Sequence, residues 1–308
     1  MMKKVSIIGA GHVGGTTAMH IAENNLANIV LVDEVENIAK AKAYDLEDSR
    51  YSLKHDSRIE GTRDISRIGG SDIIVITAGF PRTPGMKREE LLAKNAEIVT
   101  GVCENIVRFS KDAIIIVVSN PLDAMTYLVF KKTNLPRERV FGMGPNLDAA
   151  RFANLISKKI LVNTAHIQAL VMGSHGETMV PLARLSKVRG RPLSEILNES
   201  DIAALVKGTR HRGAEIVSLY GTGSASIGPS AAIYEIVETI LMGHKKEIPV
   251  SACLEGEYGL YDVSIGVPAK IGPSGIEKII EIELQEDEKE ALYQSAQAVK
   301  DSIKILKL

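Results

Sequence analysis

The stretch Val5-Ser6-Ile7-Ile8-Gly9-Ala10-Gly11-His12-Val13-Gly14 decides how this chain is read. A short apolar, β-branched run ends in a glycine-rich turn, and a helical pattern from Val13 to Asn25 follows directly. The glycines fit the G-x-G-x-x-G spacing. Gly9 permits a tight turn, Gly11 lets a phosphate approach the backbone, and Gly14 lets the helix pack on the strand. A helix starting there presents free N–H groups and the positive end of its dipole, which favour a pyrophosphate; His12 and Val13 would lie along it. Glycine-rich turns are common, so the setting between strand and helix carries more weight than the spacing alone.

Asp33 is the second half of the test. It closes the run Ile29-Val30-Leu31-Val32 and stands 19 residues after Gly14. A carboxylate there accepts hydrogen bonds from a ribose diol and repels the extra phosphate of NADP, so the pair of features favours NAD. An N-cap aspartate for the next helix, or a site for S-adenosylmethionine or FAD, is compatible with the same residues.

Outward from this unit the pattern repeats. Ile73 to Ala78 and Ala113 to Val118 are continuous apolar runs, as parallel strands covered on both faces require. Ile38 to Asp48, after the Ile29–Val32 run, and Arg88 to Ser110, between the two later runs, are helical patterns, and Arg139 to Gly142 is a candidate fifth strand. Strand–helix alternation predicts an α/β fold with a parallel sheet and right-handed crossovers. Asp48 to Arg67 mixes both charge signs and reads as solvated surface. Beyond Met143 the regularity falls. Leu147 to Ser157 reads as a helix, Ala165 to Met172 as a strand and Pro229 to Met242 as an amphipathic helix whose apolar face suits a core or an interface. Tyr258 to Val267 alternates like a strand, Gly272-Pro273-Ser274-Gly275 is a turn, and the chain ends in a helix carrying Leu292, Ala296, Val299, Ile303 and Leu306.

At about 150 residues per domain, 308 residues suggest two domains or one large one. The motifs place the boundary near Met143, giving residues 1–143 and 144–308. The formal net charge is −1, and neither part hides a basic surplus, so no nucleic-acid partner is expected. Aromatic residues make up only 4% with no Trp, which removes the usual stacking platforms for single strands. The longest apolar stretches are strand-length, so no membrane span is expected. Lys3-Lys4 before Val5 only weakly mimics a signal peptide, because the apolar stretch is too short and is cut by Gly11 and His12. Two distant cysteines, Cys103 and Cys253, fit free thiols in a reducing compartment, and the expected location is cytoplasmic.

Four further segments sit where α/β sites form, at strand ends and on loops. They are Thr77-Ala78-Gly79-Phe80-Pro81-Arg82-Thr83-Pro84-Gly85-Met86-Lys87-Arg88; Val118-Ser119-Asn120-Pro121-Leu122-Asp123; Leu147-Asp148-Ala149-Ala150-Arg151-Phe152; and Met172-Gly173-Ser174-His175-Gly176-Glu177-Thr178-Met179-Val180-Pro181. His175, between glycines, suits a general base because imidazole titrates near neutral pH. A lone histidine is more often structural, as the other six here illustrate. Asp148 and Arg151, at i and i+3, share a helix face, which by itself describes an ordinary ion pair.

On these segments, in this order, the chain resembles the lactate/malate dehydrogenase family, and more closely its lactate-dehydrogenase-like malate dehydrogenases. The resemblance runs almost end to end, to Gly256-Glu257-Tyr258-Gly259 and Gly266-Val267-Pro268. It implies a Rossmann-type doubly wound sheet for NAD and a second α+β substrate domain. It also implies a homodimer or homotetramer, and reversible oxidation of malate to oxaloacetate. His175 would move the proton, Asp148 would fix its tautomer, and Arg151 would hold the substrate carboxylate through two parallel hydrogen bonds. Arg88 would polarise the reacting oxygen from a closing loop, and Asn120 would bond the same oxygen. Asn95 matches a position near the cofactor, or else is a solvent-facing helix residue; Val118 and Asn120 complete the cofactor set, and no metal is expected.

Arg82 would choose the substrate. It can pair with the second carboxylate of malate, where the family's lactate enzymes are similar but place a glutamine; a closed site with an unpaired arginine rejects the wrong acid by about 10⁴-fold. In the same sense, Ala225 stands where those enzymes have a threonine. Serine is usual at Ala149 and aspartate at Glu177, and Asp48-Ser49 departs from a common His-Ala; none of these is a proposed catalytic group. Three other functions share part of the pattern: a dehydrogenase for lactate or another 2-hydroxy acid, a metal-dependent NAD glycoside hydrolase, and a silent NAD-binding sensor. No cysteine accompanies His175 as the second would need, and the third would not require His175, Asp148, Arg151 and Arg88 together.

Overall fold

The computed structural model describes residues 2–80, 88–221 and 223–307. The opening unit is as expected. Strand β1 (Lys3–Ile8) runs into helix α1 (His12–Glu23), and β2 (Ala27–Val32) into α2 (Glu36–Asp48) and the short α3 (Arg50–Leu53). Then come β3 (Ile59–Thr62), β4 (Ile73–Ile76), α4 (Arg88–Phe109), β5 (Ile114–Val117), α5 (Leu122–Thr133) and β6 (Val140–Gly142). The six strands are parallel and lie in the order β3-β2-β1-β4-β5-β6. This is the doubly wound order of a Rossmann-type sheet, and its direction of winding reverses between β1 and β4.

The continuous apolar runs have a direct cause. Successive residues of a strand point to opposite faces, and both faces are covered. Val5, Ile7, Ile73, Val75, Ile114 and Ile116 join one core, while Ile8, Ile74, Ile76, Ile115 and Val117 join the other.

Helix α6 (Gly144–Ile160) opens the second part, followed by the short strands β7 (Ile167–Gln168), β8 (Val171–Met172), β9 (Val180–Pro181), β10 (Lys187–Val188) and β11 (Arg191–Pro192). Two long helices, α7 (Glu199–Tyr220) and α8 (Ile227–Leu241), lead to β12 (Lys246–Glu255), β13 (Tyr261–Gly272), β14 (Gly275–Ile279) and the terminal α9 (Glu286–Ile305). Strands β12, β13 and β14 extend the large sheet antiparallel from β6, so among the described residues nine strands form one sheet across both parts. A separate core around Phe152, Ile156, Val171, Met179 and Leu193 supports the small strands.

Some expectations change. Asp48 to Arg67 is not merely solvated surface, because it contains the edge strand β3, with Ile59, His55 and Ser57 buried. Gly61 lets that strand lie against the Ala39 carbonyl of α2, where a Cβ would collide. Ala165 to Met172 is not one strand. A 3₁₀ turn precedes β7, which pairs with β10, while β8 pairs with β9. Tyr258 sits in a 3₁₀ turn, and β13 begins only at Tyr261. The apolar face of α8 is spent on the core, where Ile233, Ile236 and Val237 are buried. Pro273-Ser274 forms the β13–β14 turn as expected.

Both cysteines are buried, and burial pushes each thiol up to about 12. No described helix is long and apolar enough to cross a membrane.

The β1–α1 turn leaves no room at two of its glycines. Gly9 has φ +107° and faces Thr77 Oγ1 and the Ala78 backbone, while a Cβ on Gly14 would run into the Gly9 carbonyl. Gly14→Ala is therefore expected to lose roughly 1–3 kcal/mol of stability through overpacking. A thermal midpoint several degrees lower, with weakened NADH binding in a fluorescence titration, checks this.

Candidate active site

The carboxyl ends of the parallel strands converge on one crevice. The Gly9–Gly14 turn follows β1, Asp33 follows β2, Thr77–Phe80 follows β4, and Val118–Asn120 follows β5. A Cβ on Gly11 would meet nothing within 4 Å, so the turn is open on the side where a phosphate would approach. Helix α1 starts without a side-chain cap and without an acidic residue in its first turn, which leaves its N–H groups and positive end for an anion. His12 is exposed and Val13 half-buried at that end. Asp33 accepts hydrogen bonds from the N–H groups of Ala10 (2.8 Å) and Val35 (3.0 Å), which fix a carboxylate that keeps acceptor capacity for a diol. Open phosphate cradle and anchored acid together fit a dinucleotide.

Asn95 is not a solvent-facing helix residue. It is buried on α4, its Oδ1 accepts from Phe80 N (2.7 Å), and its Nδ2 donates to the Asn120 carbonyl (2.7 Å). The amide thus ties the loop after β4 to the loop after β5. Ser119 repeats the tie by donating to the Ala78 carbonyl at 2.6 Å. Val118 is half-buried, and the Asn120 side chain is exposed at the mouth.

His175, Asp148 and Arg151 come together at the end of β6. The ring of His175 packs on the first turn of α6, where a Cβ on Gly144 would stand 2.6 Å from its Cγ. One turn further on, Asp148 Oδ2 lies 2.7 Å from His175 Nδ1, and its Oδ1 lies 3.4 Å from Arg151 Nη1. Donation from Nδ1–H fixes the tautomer and leaves Nε2 to exchange a proton. Burial by itself disfavours the imidazolium. The charge and hydrogen bond of Asp148, helped by Asp123 against Arg151, outweigh burial and raise the His175 pKa above its ordinary value. The pairing of Asp148 is therefore more than an intrahelical ion pair.

The loop carrying His175 is held from several sides. Gly173 and Gly266 of β13 exchange backbone hydrogen bonds at 3.0 Å, and Ser174 N donates to Ser295 Oγ of α9 at 2.8 Å. Arg210 of α7 donates to the Met179 carbonyl at 3.0 Å. Arg82 lies outside the described residues, as does the side chain of Arg88, which opens α4. Among the described residues no group of three or more His, Cys, Asp and Glu side chains is placed to share a metal ion.

Comparison with known proteins gives the family. Residues 3–142 match the family model described as lactate/malate dehydrogenase, NAD binding domain, and residues 145–307 match its alpha/beta C-terminal domain. The chain belongs to the lactate/malate dehydrogenase family. Within this family, the malate dehydrogenase of Trichormus variabilis is 48% identical over 302 residues, covering 98% of this chain and 93% of that one. The Cryptosporidium parvum malate dehydrogenase structure superposes with a TM-score of 0.97 at 35% identity, over 100% of this chain and 99% of its own. The lactate dehydrogenase of the same organism, complexed with lactic acid and nicotinamide adenine dinucleotide, gives the same TM-score and identity, covering 100% and 98%. Backbone shape therefore does not separate the two substrates within the family, and side chains must.

Gly144→Ala tests the seat of the histidine. The added methyl displaces the ring from Asp148, and kcat is expected to fall by about 10²-fold, the scale of a misplaced general acid–base group. Stopped-flow turnover beside an unchanged NADH titration checks it.

Proposed function

We propose that the chain is an NAD-dependent malate dehydrogenase that interconverts (S)-malate and oxaloacetate. The observation that carries the chemistry is the pairing of buried Asp148 with half-buried His175 at 2.7 Å, set beside Arg151 at the mouth of the cofactor crevice. The relatives named malate dehydrogenase over nearly the whole chain support the choice of acid.

Gly9, Gly11, His12, Val13, Gly14 and Asp33 would hold the cofactor's phosphates and ribose, and Asn95, Val118 and Asn120 would lie toward its nicotinamide end. When bound, NAD supplies the hydride acceptor. The chain's residues do the rest. Arg151 clamps the carboxylate next to the reacting carbon, and Arg82 pairs with the distal one. Arg88 and Asn120 bond the reacting oxygen and stabilise charge developing there. Neutral His175 accepts the hydroxyl proton at Nε2 during oxidation and returns it during reduction, while Asp148 stabilises the imidazolium in between. The cofactor work falls to residues 1–143 and most of the catalytic work to 144–308, although Arg82, Arg88 and Asn120 cross that line.

A reducing cytoplasm suits two free buried thiols. Assembly as a homodimer or homotetramer is supported by exposed apolar side chains such as Leu219, Tyr220 and Ile227.

Wild-type protein with NADH should reduce oxaloacetate far better than pyruvate, and Arg82→Gln should narrow that ratio of kcat/KM by about 10²-fold or more. An unmoved ratio overturns the substrate assignment. The pH profile follows from the raised His175 pKa. Reduction needs the imidazolium, so its kcat/KM is flat at low pH and falls as pH rises through a value above the ordinary one. Malate oxidation rises through the same value.

A further inference from the structure

Asp123 stands in the first turn of α5 and is almost wholly buried. Its carboxylate makes two hydrogen bonds across the fold. Oδ2 accepts from the backbone N–H of His175 at 2.7 Å, and Oδ1 accepts from the hydroxyl of Ser251 on β12 at 2.6 Å. Both bonds are short, as charge-assisted ones are. A buried carboxylate is an expensive way to hold one N–H, since an asparagine offers the same acceptor without a charge to desolvate. What only the acid supplies is negative charge beside the histidine.

We propose that Asp123 is a positioning residue for hydride transfer, fixing the backbone of His175 and supporting its protonated ring with a second negative charge. The proposal rests on His175 being the acid–base group. Burial, with a smaller push from Asp148, outweighs the hydrogen bonds from Ser251 and His175 and the charge of His175, and leaves Asp123 raised to about 6. Asp123 is therefore a carboxylate at neutral pH, and its charge favours the imidazolium. The other groups facing the pair are Asp148 and Arg151 from α6, and Glu177, Ser174 and Ser302 around the small cavity beside it. Ser251 of β12 and Ser295 of α9 are neutral. Asp148 and Asp123 thus approach the histidine from two different helices, one through the ring and one through the main chain.

Asp123→Asn separates charge from shape. Its Oδ1 still accepts from His175 N, and its amide donates to Ser251 Oγ. With NADH and oxaloacetate, kcat is expected to fall about tenfold or more, and the alkaline limb of kcat/KM to move about one unit lower. NADH affinity should stay within about twofold. Ser251→Ala is the milder companion. It removes one donor, favours protonated Asp123, and moves the limb in the same direction by less; it decides the matter alone if the asparagine variant does not fold. An unmoved limb in every variant that folds, while His175→Asn abolishes turnover in the same assay, overturns the proposal. Turnover retained by His175→Asn overturns the assignment of the acid–base group instead.

Discussion

The pairing of β6 with β12 is the constraint on which the rest depends. Ser251 lies opposite Gly142 and Ala252 opposite Phe141, and this short antiparallel join turns two sets of strands into one sheet. It is tight because Gly142 has no side chain. A Cβ there would press on Leu122, Thr126 and Ser251 together. The cluster of Asp148, Arg151 and His175 is built outward from that join. Helix α6, carrying Gly144, Asp148 and Arg151, starts two residues after Gly142. Asp123 opens the helix that packs under it and reaches Ser251 on the far strand. A rigid join at this point fixes the distance between groups held by the cofactor half and groups held by the other half, which a flexible linker would let vary.

The parallel strands were legible because each is covered on both faces and so appears as an unbroken β-branched run. The same physics hid β3. It is an edge strand, only Ile59 of its four residues is buried, and its Glu60 and Thr62 look like loop residues. Helix α5 was hidden for the opposite reason. Nine of its twelve residues are buried, so it shows no polar face to mark a helical period. Strand β12 mixes Pro249, Ser251 and Cys253 into an apolar run, which blurs both the alternating and the continuous pattern.

The site was legible by residue type and spacing where partners are close along the chain, as with the glycines, or Asp148 and Arg151. It was not legible where partners are distant. Asp123 meets His175 across 52 positions and Ser251 across 128, and nothing local in Asn120-Pro121-Leu122-Asp123 announces either contact. Asn95 shows the same limit. Its amide joins two loops across 15 and 25 positions, which only the folded chain reveals. The near-zero net charge is likewise a poor guide. The charges that matter are placed singly, with Arg151 largely shielded from water beside a buried aspartate.

The two cysteines take no part in this chemistry, and that has a practical side. Cys103 packs inside α4 against the core, and Cys253 exchanges a hydrogen bond with Ser264 between β12 and β13. Both thiols are buried, and burial pushes each up to about 12, which disfavours the reactive thiolate. The native protein is thus expected to react slowly with maleimides and disulfide reagents. One cysteine introduced on the surface, for instance at the exposed Tyr51, would take a fluorophore alone, and the natural thiols need not be removed first.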